Sequence, residues 1–157
     1  MTYFTKADAP AKIAKKLIPK HHKHLEDKLI VYVFRDDMPK KNGKLVLGRA
    51  KIVSGLNAWL YNGSPEPFHM IEFTEEWWKR ASEDQREALV DHELCHLEIE
   101  LTPDEDTGEL IEKPKIRAHD VEEFTEILDR HGLWKSDVEE FVRKGAKQLT
   151  LALEETA

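Results

Sequence analysis

Asp91-His92-Glu93-Leu94-Cys95-His96 constrains this chain more than any other stretch of it. Two histidines four residues apart, with a glutamate beside the first, share a task only on a helix, where positions i and i+4 lie one turn apart on one face. An independent signal starts such a helix. Ser82-Glu83-Asp84-Gln85 is a capping box, with Ser at the N-cap and Gln three residues on, each satisfying an orphan amide. Leu89, Val90, Leu94 and Leu97 then give the helix an apolar face, which leaves His92 and His96 on a different stripe, open to a cleft. The helix is expected to run through Leu97 and to end in the polar turn Thr102–Gly108.

Imidazoles at this spacing can bind one tetrahedral Zn²⁺ ion, and one such ion per chain is expected. Glu93, next to the first ligand but off the metal, is placed to accept a proton from a water activated by the ion and to pass it to a leaving amine. A catalytic zinc takes three protein ligands, so a third must come from downstream once the chain has reversed. His119 is preferred, as an imidazole at the expected start of a second helix. Glu122 and Glu123 are the alternatives, and Glu98 and Glu100 are expected to stay on or just beyond the first helix. Glu123, one turn after His119, is also a candidate acceptor for a ligand N–H, and Asp120 is another.

The remainder reads as strands first and helices afterwards. Ala9 to about Lys23 is a basic amphipathic helix that Pro19 should kink or end. Leu29–Phe34, Leu45–Val53 and Phe68–Phe73 are strand-like, and an Asn42-Gly43 hairpin signal precedes the second. Later helices are expected from His119 to Gly132, a C′ glycine, and from a second capping box at Ser136 to about Leu153. The order argues an α+β fold and not a βαβ alternation. At 157 residues the chain is expected to form a single domain over residues 1–157, with a core of about 10–135 and a C-terminal helix over about 136–153. No apolar run reaches the ~20 residues that span a bilayer, so no membrane partner is expected.

The net charge of −7 conceals a division. Residues 1–51 hold 13 basic and 5 acidic residues, and the rest hold 11 basic and 26 acidic. The basic front is read as a solvated scaffold surface in preference to a nucleic-acid surface. One cysteine, Cys95, allows no internal disulfide, and with no secretory h-region near the N-terminus the expected compartment is the cytoplasm. Pointing away from the ligand stripe, Cys95 is read as a small buried core residue. His21, His22 and His24 are read as a solvated helix end. His69 falls on a strand and His131 beside a helix C-terminus, while Trp77, Trp78 and Trp134 are core or cleft walls.

Taken together, LIVYVFRDD, LVLGRAKIV, MIEFTEEWW, QREALVDHELCHLE and AHDVEEFTEILDRHGLW resemble the phage metallopeptidases over roughly residues 10–135. That small family has a zincin-type core also seen in SprT-like proteases. The resemblance implies zinc on His92, His96 and His119 and Glu93 as general base. It implies a zincin-like fold with an N-terminal helix, a small, mostly antiparallel three-stranded sheet, the HExxH helix and further C-terminal helices. It also implies that Met70, Ile71, Glu72 and Phe73 form a strand along the cleft, to which an extended peptide substrate adds. The expected function is therefore a zinc metallopeptidase, phage- or prophage-encoded and acting on a protein or peptide in the host cytoplasm. A catalytically silent zinc-stabilised protein that binds a host factor is one alternative. A nucleic-acid-associated SprT-like protease is the other, although the sequence holds no Cys-rich zinc ribbon. Candidate oxyanion stabilisers are His131, Tyr61 and Arg117.

Overall fold

The computed structural model describes residues 1–121, 124–134 and 136–156. The chain divides into two compact units, Met1–Arg117 and Ala118–Ala157. In the first, β1 (Phe4–Lys6) leads into α1 (Asp8–His21), a single 3₁₀ turn at Lys23–Leu25 and β2 (Ile30–Arg35). A small hairpin, β3 (Lys40–Lys41) and β4 (Lys44–Leu45), turns at Asn42 and Gly43. Both turn residues have positive φ, 52° and 76°, as the Asn-Gly hairpin signal requires. Then come β5 (Gly48–Val53), α2 (Gly55–Asn62), β6 (Phe68–Thr74), α3 (Glu75–Arg80), α4 (Glu83–Cys95), and the antiparallel pair β7 (Leu97–Pro103) and β8 (Leu110–Ile116).

The fold class is α+β, but the main sheet has four strands and not three, in the order β1-β2-β6-β5. Two of its three pairings are antiparallel, and β2–β6 is parallel. The expected cleft strand needs correction. Met70, Ile71, Glu72 and Phe73 lie on β6, the strand between β2 and β5, so both of its hydrogen-bonding edges are already paired. The sheet edges belong to β1 and β5.

Alternation along β6 builds the core. Ile71 and Phe73 are fully buried on the face that also receives Ala14 and Leu17 of α1 and Leu89, Val90 and Leu94 of α4. Phe34 and Trp78 stack edge-on against each other and against Phe73. Glu72 points the other way and is 3% exposed. It is held there by Arg35 Nη1 at 3.0 Å and Lys51 Nζ at 2.5 Å, from the strands on either side.

The capping box forms as expected, with Gln85 N–H donating to Ser82 Oγ and the Gln85 side chain accepting from Ser82 N–H. The helix stops sooner than its leucine spacing suggests. Cys95 is its last residue, and Leu97 opens β7. Glu98 and Glu100 are therefore strand residues.

The second unit contains α5 (Thr125–His131) and α6 (Ser136–Thr156). The expected helix start at His119 moves to Thr125, while Gly132 caps α5 with φ 64° as anticipated. Among the described residues no helix is long and apolar enough to cross a membrane.

Replacing Glu72 with Ala strands the Arg35 guanidinium on the sheet face. Arg35 keeps its bonds to Asp37, at 2.5 and 2.7 Å, so the loss is partial, about 2–3 kcal/mol. Chemical denaturation of Glu72→Ala checks this value, and an unchanged midpoint would contradict it.

Candidate metal centre

Within the first unit, the end of α4 and its C-cap residue His96 deliver three functional side chains. His92 and His96 stand one turn apart with ring centroids 5.1 Å apart and planes at 77°. Glu93 leaves the helix toward the sheet and is 4% exposed. It meets β5, whose core-facing residues are small at this point. Gly48 and Ala50 pair with Phe73 and Ile71 and so share their face.

The fit is close. A Cβ placed on Gly48 would lie 2.6 Å from Glu93 Oε1 and 2.9 Å from its Cγ. Glycine inside a strand marks such a backbone approach, and that was the one sequence signal for this contact. A backbone hydrogen bond from Ala50 also reaches the carboxyl. Burial dominates its titration and raises the Glu93 pKa from 4.5 to about 7, opposed by the nearby His96 and the Ala50 bond. A carboxyl poised there exchanges protons readily at neutral pH.

His96 is oriented from behind. Its Nδ1 lies 2.6 Å from the carbonyl of Arg117, and the Arg117 N–H donates to the His96 carbonyl at 2.8 Å. A carbonyl only accepts, so Nδ1 carries the proton and Nε2 keeps its lone pair for an ion. His92 and Glu93 border a cleft walled mainly by Val46, Leu47, Trp77, Ala88 and Leu89. Trp77 is thus a cleft wall and Trp78 a core residue, matching the two roles read for them.

His119 and Asp120 belong to the second unit and precede α5. Glu122 and Glu123 lie outside the described residues. Tyr61 sits on α2 with its ring against Phe68, and His131 ends α5.

Two readings of lesser residues change. Cys95 is exposed, not a core residue. The His21-His22-x-His24 cluster is not simply solvated: His22 is 4% exposed with Nε2 2.6 Å from Asp91 Oδ1, and His24 Nε2 donates to the Leu97 carbonyl at 2.8 Å. His69 is buried and donates to the Lys115 carbonyl at 3.0 Å, tying β6 to β8, and burial pushes its imidazole below the ordinary value.

Residues 2–146 match the family model described as "Putative phage metallopeptidase". The chain belongs to that family. No curated protein and no solved structure matches it. Membership implies a metal, and the imidazole pair on α4 is chemically suited to one: neutral nitrogen donors, one turn apart, with one tautomer fixed from behind.

The Gly48–Glu93 contact makes a paired prediction. Gly48→Ala should cost about 1–3 kcal/mol through overpacking. In a Glu93→Ala background, which removes the clashing atoms, the same substitution should cost well under about 1 kcal/mol. Thermal denaturation of the four proteins measures the coupling, and additive costs would show that the two residues do not compete for space.

Proposed function

We propose that the protein is a zinc-dependent peptidase in which Glu93 is the general base. The observation that carries this reading is the buried Glu93 carboxyl, held against Gly48 and Ala50 with a pKa of about 7, beside His92 and His96. A solvated structural helix gains nothing from burying a carboxyl there, whereas a proton shuttle needs that tuning.

His92, His96 and His119 would hold the ion. His119 is supported by its residue type, by the family resemblance and by the chain itself. It follows by two residues Arg117, whose backbone is bonded to His96, so the backbone tethers it within roughly 8 Å of that anchor. The bound ion supplies a Lewis acid that acidifies water and polarises a carbonyl. Glu93 takes the proton from the attacking water on its carboxylate and returns it to the departing amide nitrogen, whose C–N bond breaks as the amine leaves. Burial makes the protonated form of Glu93 accessible at neutral pH, so both transfers are feasible. Asp120 and Glu123 are proposed as acceptors that orient the His119 imidazole.

The substrate is proposed to be an extended protein or peptide segment. β5, an edge strand whose Gly48 and Ala50 adjoin Glu93, offers main-chain groups for strand addition. The Leu47, Trp77 and Leu89 cleft would take an apolar side chain next to the scissile bond. A chain with one cysteine suits the reducing cytoplasm of a host cell.

A protein substrate and a metal analysis test the proposal together. Purified chain should carry zinc and cleave an unstructured protein such as casein. Glu93→Gln should keep the zinc and lose roughly 10²–10⁴-fold in rate. His92→Ala, His96→Ala and His119→Ala should lose both. Full activity in Glu93→Gln would overturn the general-base role, and a wild-type protein that binds no zinc would overturn the whole reading.

A further inference from the structure

Where helix α4 ends, two i, i+4 pairs of donor side chains each include a His or Cys. His92 and His96 form one pair. Asp91 and Cys95 form the other, one residue earlier and so turned by about 100° around the helix axis. His22, just past the C-terminal end of α1, faces this second pair. Its Nε2 lies 2.6 Å from Asp91 Oδ1, and one donor atom from each of His22, Asp91 and Cys95 lies within 4.8 Å of the other two.

We propose that His22, Asp91 and Cys95 form a second divalent-metal site, selective for zinc-like ions and separate from the His92–His96 centre. The donor set is a nitrogen, a carboxylate oxygen and a thiolate sulfur, the combination that borderline-soft Zn²⁺ accepts and that hard Mg²⁺ and Ca²⁺ do not. Its two anionic donors balance a dipositive charge. A tetrahedral ion with bonds of about 2.0–2.3 Å holds its donors roughly 3.3–3.5 Å apart. The existing donors, within 4.8 Å of one another, already lie close to that spacing.

The three donors are also differently prepared. His22 is nearly buried and fixed by its bond to Asp91, whereas the Asp91 side chain is 43% exposed and Cys95 is exposed. A depression lined by His21, His22, His24, Cys95, Glu98 and Arg117 gives an ion access to the thiol. On binding, the proton between His22 and Asp91 and the thiol proton of Cys95 pass to solvent, and solvent completes the coordination. The ion would clamp the end of α1 to the helix that carries Glu93, on the side away from the Leu47–Trp77 cleft. This second site does not depend on the peptidase reading, because it shares no donor with His92, His96 or His119.

Cobalt(II) separates the two sites, since only the second contains sulfur. Titration of the metal-free full chain with Co²⁺ alone should reach two equivalents, with a near-ultraviolet thiolate-to-cobalt charge-transfer band accompanying one of them. Cys95→Ser should bind one equivalent and lose the band, and Asp91→Asn and His22→Gln should weaken the banded equivalent at least 10-fold. His92→Ala should lose the other equivalent and keep the band. A wild-type protein with no band, a Cys95→Ser variant that still binds two equivalents, or a band of undiminished affinity in Asp91→Asn would each overturn the second site. If His92→Ala removed no cobalt while Cys95→Ser removed the band, the second site would stand and the first metal reading would fall.

Discussion

A carboxyl pressed against a strand backbone organises this protein. Glu93 has to leave α4 on the side facing the sheet, and the sheet has to be thin where it arrives. Gly48 and Ala50 supply that thinness on the core face of β5. Their larger neighbours on the same face, Ile71 and Phe73 of β6 and Phe34 of β2, build the core that fixes the height and angle of α4. Once α4 is fixed, the positions of His92 and His96 follow from helix geometry. The core that stabilises the first unit is thus also the device that sets the environment of Glu93.

Histidines serve as connectors throughout this unit. His24 bonds the Leu97 carbonyl, His69 bonds the Lys115 carbonyl, and His96 bonds the Arg117 carbonyl. Each ties a side chain to the backbone of the β7–β8 hairpin or of the residue just after it. His22 does the same service between α1 and α4. Leu97 and the half-buried Ile99 anchor the hairpin in the core, and these polar ties add to its seating beside the end of the HExxH helix.

Much of this was legible in the sequence where the determinants are local. The Ser82–Gln85 box, the Asn42-Gly43 turn and the C-terminal glycine of α5 each depend on a few consecutive residues, and each appears where expected. Non-local determinants were not legible. Leu94 and Leu97 are spaced for a helix, yet Leu97, Ile99 and Leu101 alternate as a strand, and only the hairpin partner Leu110–Ile116 decides between the two periods. The place of β6 in the sheet depends on its parallel pairing with β2, which no property of Phe68–Thr74 announces. His22 looked solvated among lysines because its partner, Asp91, lies 69 residues away. Gly48 did leave a trace, a glycine within the strand-like run Leu45–Val53, but which side chain it accommodates is visible only in the fold.

The environment of Glu93 is read most directly by titration of its side-chain carboxyl by carbon-13 NMR in the metal-free chain. Burial against Gly48 and Ala50 predicts a midpoint near about 7. It also sets the sign of a linked effect: with the folded value above the unfolded one, the metal-free protein should lose stability as pH rises from about 4.5 through 7, because the folded state binds the extra proton. A Glu93 carboxyl that titrates near 4.5, like a solvated glutamate, would contradict the buried general base on which the account rests.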